Sequence, residues 1–448
     1  MIHKLVINYI GGFCVFNGSM GQVQSMINTL NSIAKLPLLF CADFENGLIM
    51  RLENGTEIPH AMALGRLKAE ITKNLAKIIA EESKSIGVDM ILAPVCDINN
   101  NPENPIINIR SFGETIDTVV SHISAYYEGL KEQSIIACAK HFPGHGDTNT
   151  DSHLKLPVIN KNKDELLHFE LVPFKRMIDM GIESIMIGHL TVPSIDNSCL
   201  PASLSKLIIE DLLINEMGYD GLIITDALEM KSLTDNFTEE DIIFKAVDAG
   251  NNILLMPPDP NKTIEILQSY IENNNIIKNK IKQSSQKILH YKDKLEKFQS
   301  KFDETQLDLK LTMNAKYSLK AALETLEIEG NKSLIPFKKD QQIAGFAFLQ
   351  TDEIERPTLF FQYLAQAIEN NCDFGFINKD IHDTNVLAFK EGIQNADTII
   401  LAFFFKPKAY ENFKIPQRII DVAMSLSIGK HKVIINFGNP YSIIDIPA

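Results

Sequence analysis

Tryptophan is absent from this chain, and no uninterrupted apolar run approaches the roughly 20 residues that a membrane-spanning helix needs. An integral membrane protein is therefore not expected. Basic residues are in deficit, with Lys+Arg 43 against Asp+Glu 57 and a net charge of −14, so the surface repels a phosphate backbone. Nucleic acid is not an expected partner. The six cysteines (Cys14, Cys41, Cys96, Cys138, Cys199, Cys372) show no paired spacing, which excludes a disulfide framework and a zinc knuckle. Neither a GxGxxG following a strand nor a GxxxxGK[ST] occurs, so no nucleotide cradle is evident and no cofactor is expected. Met1 to Ile10 lacks the apolar core and cleavage site of a secretory signal, and a cytoplasmic location is the expectation.

What is present is the balance of an ordinary globular protein, 45% apolar and 22% charged over 448 residues, a length that suggests two units. To about residue 260 a short apolar run alternates with a stretch of helical spacing. The runs are Gly12 to Phe16, Leu38 to Ala42, Met90 to Ala93, Ile135 to Ala139, Ser184 to Gly188, Leu222 to Thr225 and Asn252 to Met256. Between them lie 3–4 spacings such as Leu64, Leu67, Ile71 and Leu75. This rhythm predicts a parallel sheet, and the size suits a (β/α)8 barrel of the TIM type, with an open doubly wound sheet as the rival. Seven runs are visible where eight are required, so the barrel is expected to lack its first strand. Residues 1–300 are assigned to this unit. Residues 301–448 form a smaller α/β layer, with strands at Ile343 to Leu349, Thr398 to Phe404 and Lys432 to Asn436 and helices at Leu359 to Glu369 and Pro416 to Leu426. It ends soon after its last strand and is expected to be an incomplete α/β sandwich.

Polar residues follow the runs in a regular way: Asp43, Asp97, Lys140 with His141, His189 and Asp226. In a barrel all strands open onto one face, so these groups would converge, although any one of them could merely cap the next helix. The loop from Lys140 to His153 holds three further features: His145, Asp147 and the pair Asp151-x-His153. A carboxylate next to an imidazole raises its basicity and frees the other nitrogen for proton transfer near neutral pH. Zinc held by His141, His145, Asp147 and His153 is the competing reading, weakened by the lack of a fixed helical spacing. Asp226, at the mouth of the apolar run Leu222 to Thr225, suits a nucleophile held on a rigid element. The amide-rich loop from Asn99 to Arg110 suits hydrogen bonds to a hydroxyl-rich ligand, or else fixes its own turns.

These segments resemble the catalytic domain of glycoside hydrolase family 3 over roughly residues 10–260. The loop Lys140-His141-Phe142-Pro143-Gly144-His145-Gly146 followed by Asp151-Ser152-His153 is similar to the β-N-acetylglucosaminidase branch in particular. The resemblance implies a retaining mechanism with Asp226 as nucleophile and His153 as general acid/base, partnered by Asp151. It implies that Asp43, Arg110, Lys140 and His141 hold the sugar's hydroxyls, and that the substrate is a small glycoconjugate or peptidoglycan fragment with terminal N-acetylglucosamine. A β-glucosidase or other family 3 glycosidase, or a sugar-binding remnant, are the alternatives. The family's Asp-x-Glu-Gly-Gly stands here as Asp43-Phe44-Glu45-Asn46-Gly47. Without tryptophan, stacking on a sugar ring falls to Phe112 and Phe142 as candidates.

Overall fold

The computed structural model describes residues 5–6, 10–148, 156–295, 304–338, 341–368, 372–405, 414–443 and 446. Its contacts divide the chain into two units, Met1–Leu326 and Glu327–Ala448. The first is built on six parallel strands in sequence order: β1 (Gly12–Val15), β2 (Leu39–Ala42), β3 (Met90–Ile91), β4 (Ile136–Phe142), β5 (Ser184–Ile187) and β6 (Leu222–Thr225). Helices Met20–Ile33, Ala69–Ile86, Ile116–Lys131, Val172–Met180 and Leu207–Glu216 return the chain between successive strands. Local signals set their ends. Ser19 and Gln22 form a reciprocal capping box at the start of the first. Gly87, at φ 87°, ends the second in the left-handed region that glycine tolerates.

Strand side chains alternate between two apolar layers, up to a register shift in β4 between Ala139 and Phe142. Leu39, Cys41, Met90, Leu92, Ile136, Cys138, Met186 and Ile224 share one inner cluster, which Leu255 joins. Their neighbours Phe40, Ala42, Ile91, Ala137, Ala139, Ile185 and Ile223 point the other way, into the core that the helices cover. A parallel sheet buried on both faces reads as a continuous apolar run for this reason. The seventh run touches β6 through a single parallel bridge, Ile224 to Ile253.

Helix Asn275–Lys294 shows that the sheet curls. Its Lys287 donates to the carbonyl of Gly221, ahead of β6, at 3.0 Å, and its Lys292 donates to those of Gly11, ahead of β1, at 2.5 Å and Pro37, ahead of β2, at 2.7 Å. Five helical residues rise only about 7.5 Å, so the outer strands approach one another at their N-terminal ends. The opposite, C-terminal ends carry Asp43, Lys140, His141, His189 and Asp226 on one face of the unit. Helix Glu304–Glu324 joins the same unit through Asn314 to Glu82 (2.8 Å) and Ser318 to the carbonyl of Glu57 (2.5 Å).

The second unit is a four-stranded parallel sheet in the order β10-β9-β7-β8, made of β7 (Ile343–Leu349), β8 (Asp373–Ile377), β9 (Thr398–Phe404) and β10 (His431–Asn436). Separate apolar clusters cover its two faces, one around Phe346, Phe348 and Leu401, the other around Phe361, Ala347 and Ile400. Among the described residues no helix is long and apolar enough to cross a membrane.

Asp89 supplies a test of this frame. It precedes β3, its carboxylate accepts the Phe40 amide at 3.1 Å, and burial pushes its carboxyl up to about 6 against the opposing pull of that amide and of Lys292. Between the unfolded value of 3.8 and about 6, the folded protein keeps a proton that the unfolded chain has lost, so stability falls as pH rises through that window. Asp89→Asn should therefore gain stability relative to wild type between about pH 4 and about pH 7, by on the order of 2 kcal/mol in denaturant titrations. A difference that does not change with pH contradicts the burial of this carboxyl.

Candidate active site

Lys140 lies near the end of β4 and is almost wholly buried, its side chain 2% exposed. An ammonium stays charged there only if carboxylates meet it. Asp43, one residue past β2, bonds it at 2.8 Å, and Glu45 bonds it at 2.7 Å. Each carboxylate is held by a further cation: Arg51 meets the second oxygen of Asp43 at 2.7 Å. Arg110 grips Glu45 with two bonds, Nε at 2.9 Å and Nη2 at 2.7 Å. Burial and the nearby Glu45 push Asp43 up, but Lys140 and Arg51 outweigh them and hold it below its ordinary value. For Glu45 burial is likewise outweighed, by Arg110 and Lys140, which hold it well below. Lys140 is raised, because the two carboxylates overcome burial.

A second cluster orders the loop after β4. Asp97 is buried and accepts the backbone amides of His141 (3.1 Å) and His145 (2.7 Å), and its Oδ2 also meets Nδ1 of His141 at 2.8 Å. Nε2 of His141 faces Nη2 of Arg110 at 3.4 Å, which ties the two clusters together. Burial raises the Asp97 carboxyl, yet His141 and His145 leave it below its usual value. The Thr148 hydroxyl donates to the His145 carbonyl at 3.0 Å and accepts from its Nδ1 at 2.7 Å. Burial pushes the His145 imidazole down to about 4, so it is neutral at pH 7, and its Nε2 is buried with no hydrogen-bond partner.

Asp226 follows β6 and is half-buried; its Oδ1 accepts the Ala227 amide at 2.8 Å. Burial raises its carboxyl, but His189, His141, the Ala227 amide and Lys140 together bring it down to about 2. His189 is buried and braces the same turn, its Nε2 donating to the Ala227 carbonyl at 3.0 Å while Nδ1 meets Ser203 at 2.8 Å. The structure thus brings Asp43, Arg110, Lys140, His141 and Asp226 to one mouth. Asp151 and His153 lie outside the described residues.

Other expectations turn out differently. Phe112 and Phe142 are in the core at 3% and 0% exposure, the first stacked on His122 and the second edge-on to Phe174. Neither can meet a sugar ring. An aromatic side chain exposed at this mouth is Phe16, just past β1, with the Arg51 guanidinium 5.2 Å above its ring. The amides of the loop after β3 fix its own turns and the neighbouring loop. Asn104 donates to the carbonyls of His145 (2.8 Å) and Gly146 (2.9 Å) and accepts the amides of Ile106 and Ile107, both at 2.9 Å. Gly146 passes so close to the Ile98 carbonyl that a Cβ would lie 1.6 Å from its oxygen. Of the residues considered for zinc, Asp147 is paired with Lys161 at 3.1 Å, and no three His, Cys, Asp or Glu side chains gather as a metal site among the described residues.

Glu45, Arg51, Asp97 and His189 complete the site without having been assigned roles from sequence. Asp97 and His189 were visible as residues past strand ends; Glu45 and Arg51 carried only the spacing of the Asp43 segment. The drift of that segment from Gly to Asn46 is tolerated because Asn46 has no positive φ, whereas Gly47 has φ 100° and a Cβ there would lie 2.2 Å from the Thr56 carbonyl oxygen.

Over 443 residues, 91% of this chain and 73% of the relative, the sequence is 27% identical to beta-hexosaminidase A of Pseudoalteromonas piscicida. The structure of a glycoside hydrolase family 3 beta-N-acetylglucosaminidase from Paenibacillus sp. str. FPU-7 matches with a TM-score of 0.84 at 26% identity, covering 100% of this chain and 88% of that one. Beta-glucoside phosphorylase BglX shares the fold, with a TM-score of 0.85 at 22% identity over 98% of this chain and 82% of its own. Residues 10–291 match the glycosyl hydrolase family 3 N-terminal domain, and the chain belongs to that family.

Proposed function

We propose that this chain is a retaining exo-β-N-acetylglucosaminidase that removes terminal N-acetylglucosamine from small glycoconjugates or peptidoglycan fragments. The observation that carries the reading is Asp226: a carboxylate held at about 2 at a strand mouth, half-open to solvent, beside Lys140 and His141. Such a group is ionised at every working pH and is fixed on a rigid element, as a nucleophile requires. On this reading the curled sheet is the wall of a (β/α)8 barrel, and the relatives named for β-hexosaminidase activity support the choice of sugar.

In the first step a carboxylate oxygen of Asp226 bonds to the anomeric carbon. The glycosidic C–O bond breaks, and its oxygen takes the proton of His153, which Asp151 orients. In the second step His153 accepts a proton from water, the water oxygen bonds to the anomeric carbon, and the bond to Asp226 breaks. Two inversions give net retention. Asp43, Arg110, Lys140 and His141 hold the hydroxyls of the sugar being transferred.

Asp226→Ala should lower kcat/KM on an aryl N-acetyl-β-glucosaminide by at least about 10³-fold while the protein stays folded. Wild-type turnover in that variant ends the assignment of the nucleophile, and a strong preference of the wild type for an aryl β-glucoside redirects the reading to β-glucosidase. Because Asp147 is taken by Lys161 and His141 by Asp97, activity should survive dialysis against excess chelator. Loss of turnover that a divalent cation restores would instead establish a metal-dependent hydrolase.

A further inference from the structure

We propose that Glu45 is the positioning residue of this site: it holds Arg110 and Lys140 as a preset pair of cationic donors for the sugar hydroxyls. The inference rests on the glycosidase reading above and adds a residue to it. Donor counting carries the case. An ammonium has three N–H groups, and Lys140 spends one on Asp43 at 2.8 Å and one on Glu45 at 2.7 Å. A guanidinium has five in a rigid fork. Arg110 spends Nε and one Nη2 hydrogen on Glu45, one Nη1 hydrogen on the Ile106 carbonyl at 3.2 Å, and turns its remaining Nη2 hydrogen toward His141 at 3.4 Å. Among the described residues, each cation therefore keeps one uncommitted donor, and Glu45 fixes where both of them point.

Depth supports the division of roles. The Glu45 side chain is 9% exposed, whereas Asp43 and Arg110 are more open, at 20% and 25%. Glu45 therefore stands behind Arg110, the more open of the two cations it holds, while Lys140 at 2% lies deeper than either. The Glu45 backbone is pinned from behind by Tyr126, whose hydroxyl donates to the carbonyls of Phe44 at 3.1 Å and Glu45 at 3.2 Å. Without the Glu45 charge, Arg110 and Lys140 would repel one another across the space that it fills, with Asp43 already shared with Arg51.

The charged groups that face Lys140 are Asp43 and Glu45 from the segment after β2, Arg110 from the loop after β3, and Asp226 from the end of β6. Glu45 is one of the carboxylates that keep the ammonium protonated against burial and Arg110. In Glu45→Gln that support is lost, and Lys140 should give up its proton at lower pH.

The experiment measures kcat and KM separately on an aryl N-acetyl-β-glucosaminide for wild type, Glu45→Gln and Glu45→Asp, with thermal melts to confirm folding. Glu45→Gln should lose roughly 10²-fold in kcat/KM at neutral pH, most of it in KM, whereas a merely structural defect would lower the active fraction, and so kcat, without moving KM. Glu45→Asp keeps the charge but is one methylene shorter. It should leave KM about fivefold or more above wild type, since the two-bond grip on Arg110 is lost. A folded Glu45→Gln with wild-type KM overturns the proposal. Should Glu45→Gln fail to fold, a wild-type KM in Glu45→Asp overturns it equally. An inactive wild type overturns both the glycosidase reading and this proposal, whereas an active wild type indifferent to Glu45 overturns this proposal alone.

Discussion

The whole mouth of the first unit depends on one buried ammonium. Lys140 cannot stay charged among apolar strands without Asp43 and Glu45, and those two carboxylates cannot share so small a space without Arg51 and Arg110 on their far sides. Asp97 and Asp226 complete the set, so four carboxylates face three cations and, histidines aside, one negative charge is left over. A site of that sign favours a reacting centre that becomes positive, as the anomeric carbon does when its leaving oxygen departs. Electrostatics and the proposed chemistry thus point the same way, although the charges are arranged primarily so that Lys140 can be buried.

The sheet and the loops divide the work. Strands place the reactive ends, because parallel strands in sequence order open onto one face, and the two-layer alternation of Leu39/Phe40 or Met90/Ile91 holds each strand at a fixed height. Loops then set distances. Asn104 donates two bonds to the loop after β4 and accepts two amides of its own loop, and Asp97 takes two donors from His141 at the end of β4 and one from His145 beyond it. A single carboxylate and a single amide therefore fix the His145 turn, and the same carboxylate orients the His141 ring at the end of β4.

Much of this frame was legible because strand runs buried on both faces stand out. Leu222–Thr225, Ile343–Leu349 and Thr398–Phe404 appear with the bounds their apolar residues mark. Strand β8, Asp373–Ile377, and helix Asp383–Gly392 went unnoticed. The strand is short, interrupted by Gly375 and mostly open along its first half, so it has neither a continuous apolar run nor clean alternation. In the site, residues past strand ends could be picked out because the topology alone gathers them. The partnership of Glu45 with Arg110 could not, since it joins loops 65 residues apart and has no periodic trace. Phe112 and Phe142 misled for the opposite reason: each lies within a site segment, and an aromatic residue there looks the same whether it faces a ligand or the core.

The same charges that prepare a nucleophile also decide where the proton must come from. A leaving oxygen needs an acid that still holds its proton near neutrality. Asp43, Glu45, Asp97 and Asp226 are all held below their ordinary values by cations and amides, so none of them serves. Lys140 is raised too far to release a proton readily, and His145 at about 4 has already lost its own. Both nitrogens of His189 are committed to Ser203 and the Ala227 carbonyl, and those of His141 face Asp97 and the Arg110 guanidinium. Among the described residues the mouth therefore offers the proposed nucleophile no matching acid. The proposed donor is therefore the imidazole of His153, with Asp151 two residues before it in the sequence. For this reason the Asp151-x-His153 pair belongs to the proposed mechanism on chemical grounds as well as by resemblance.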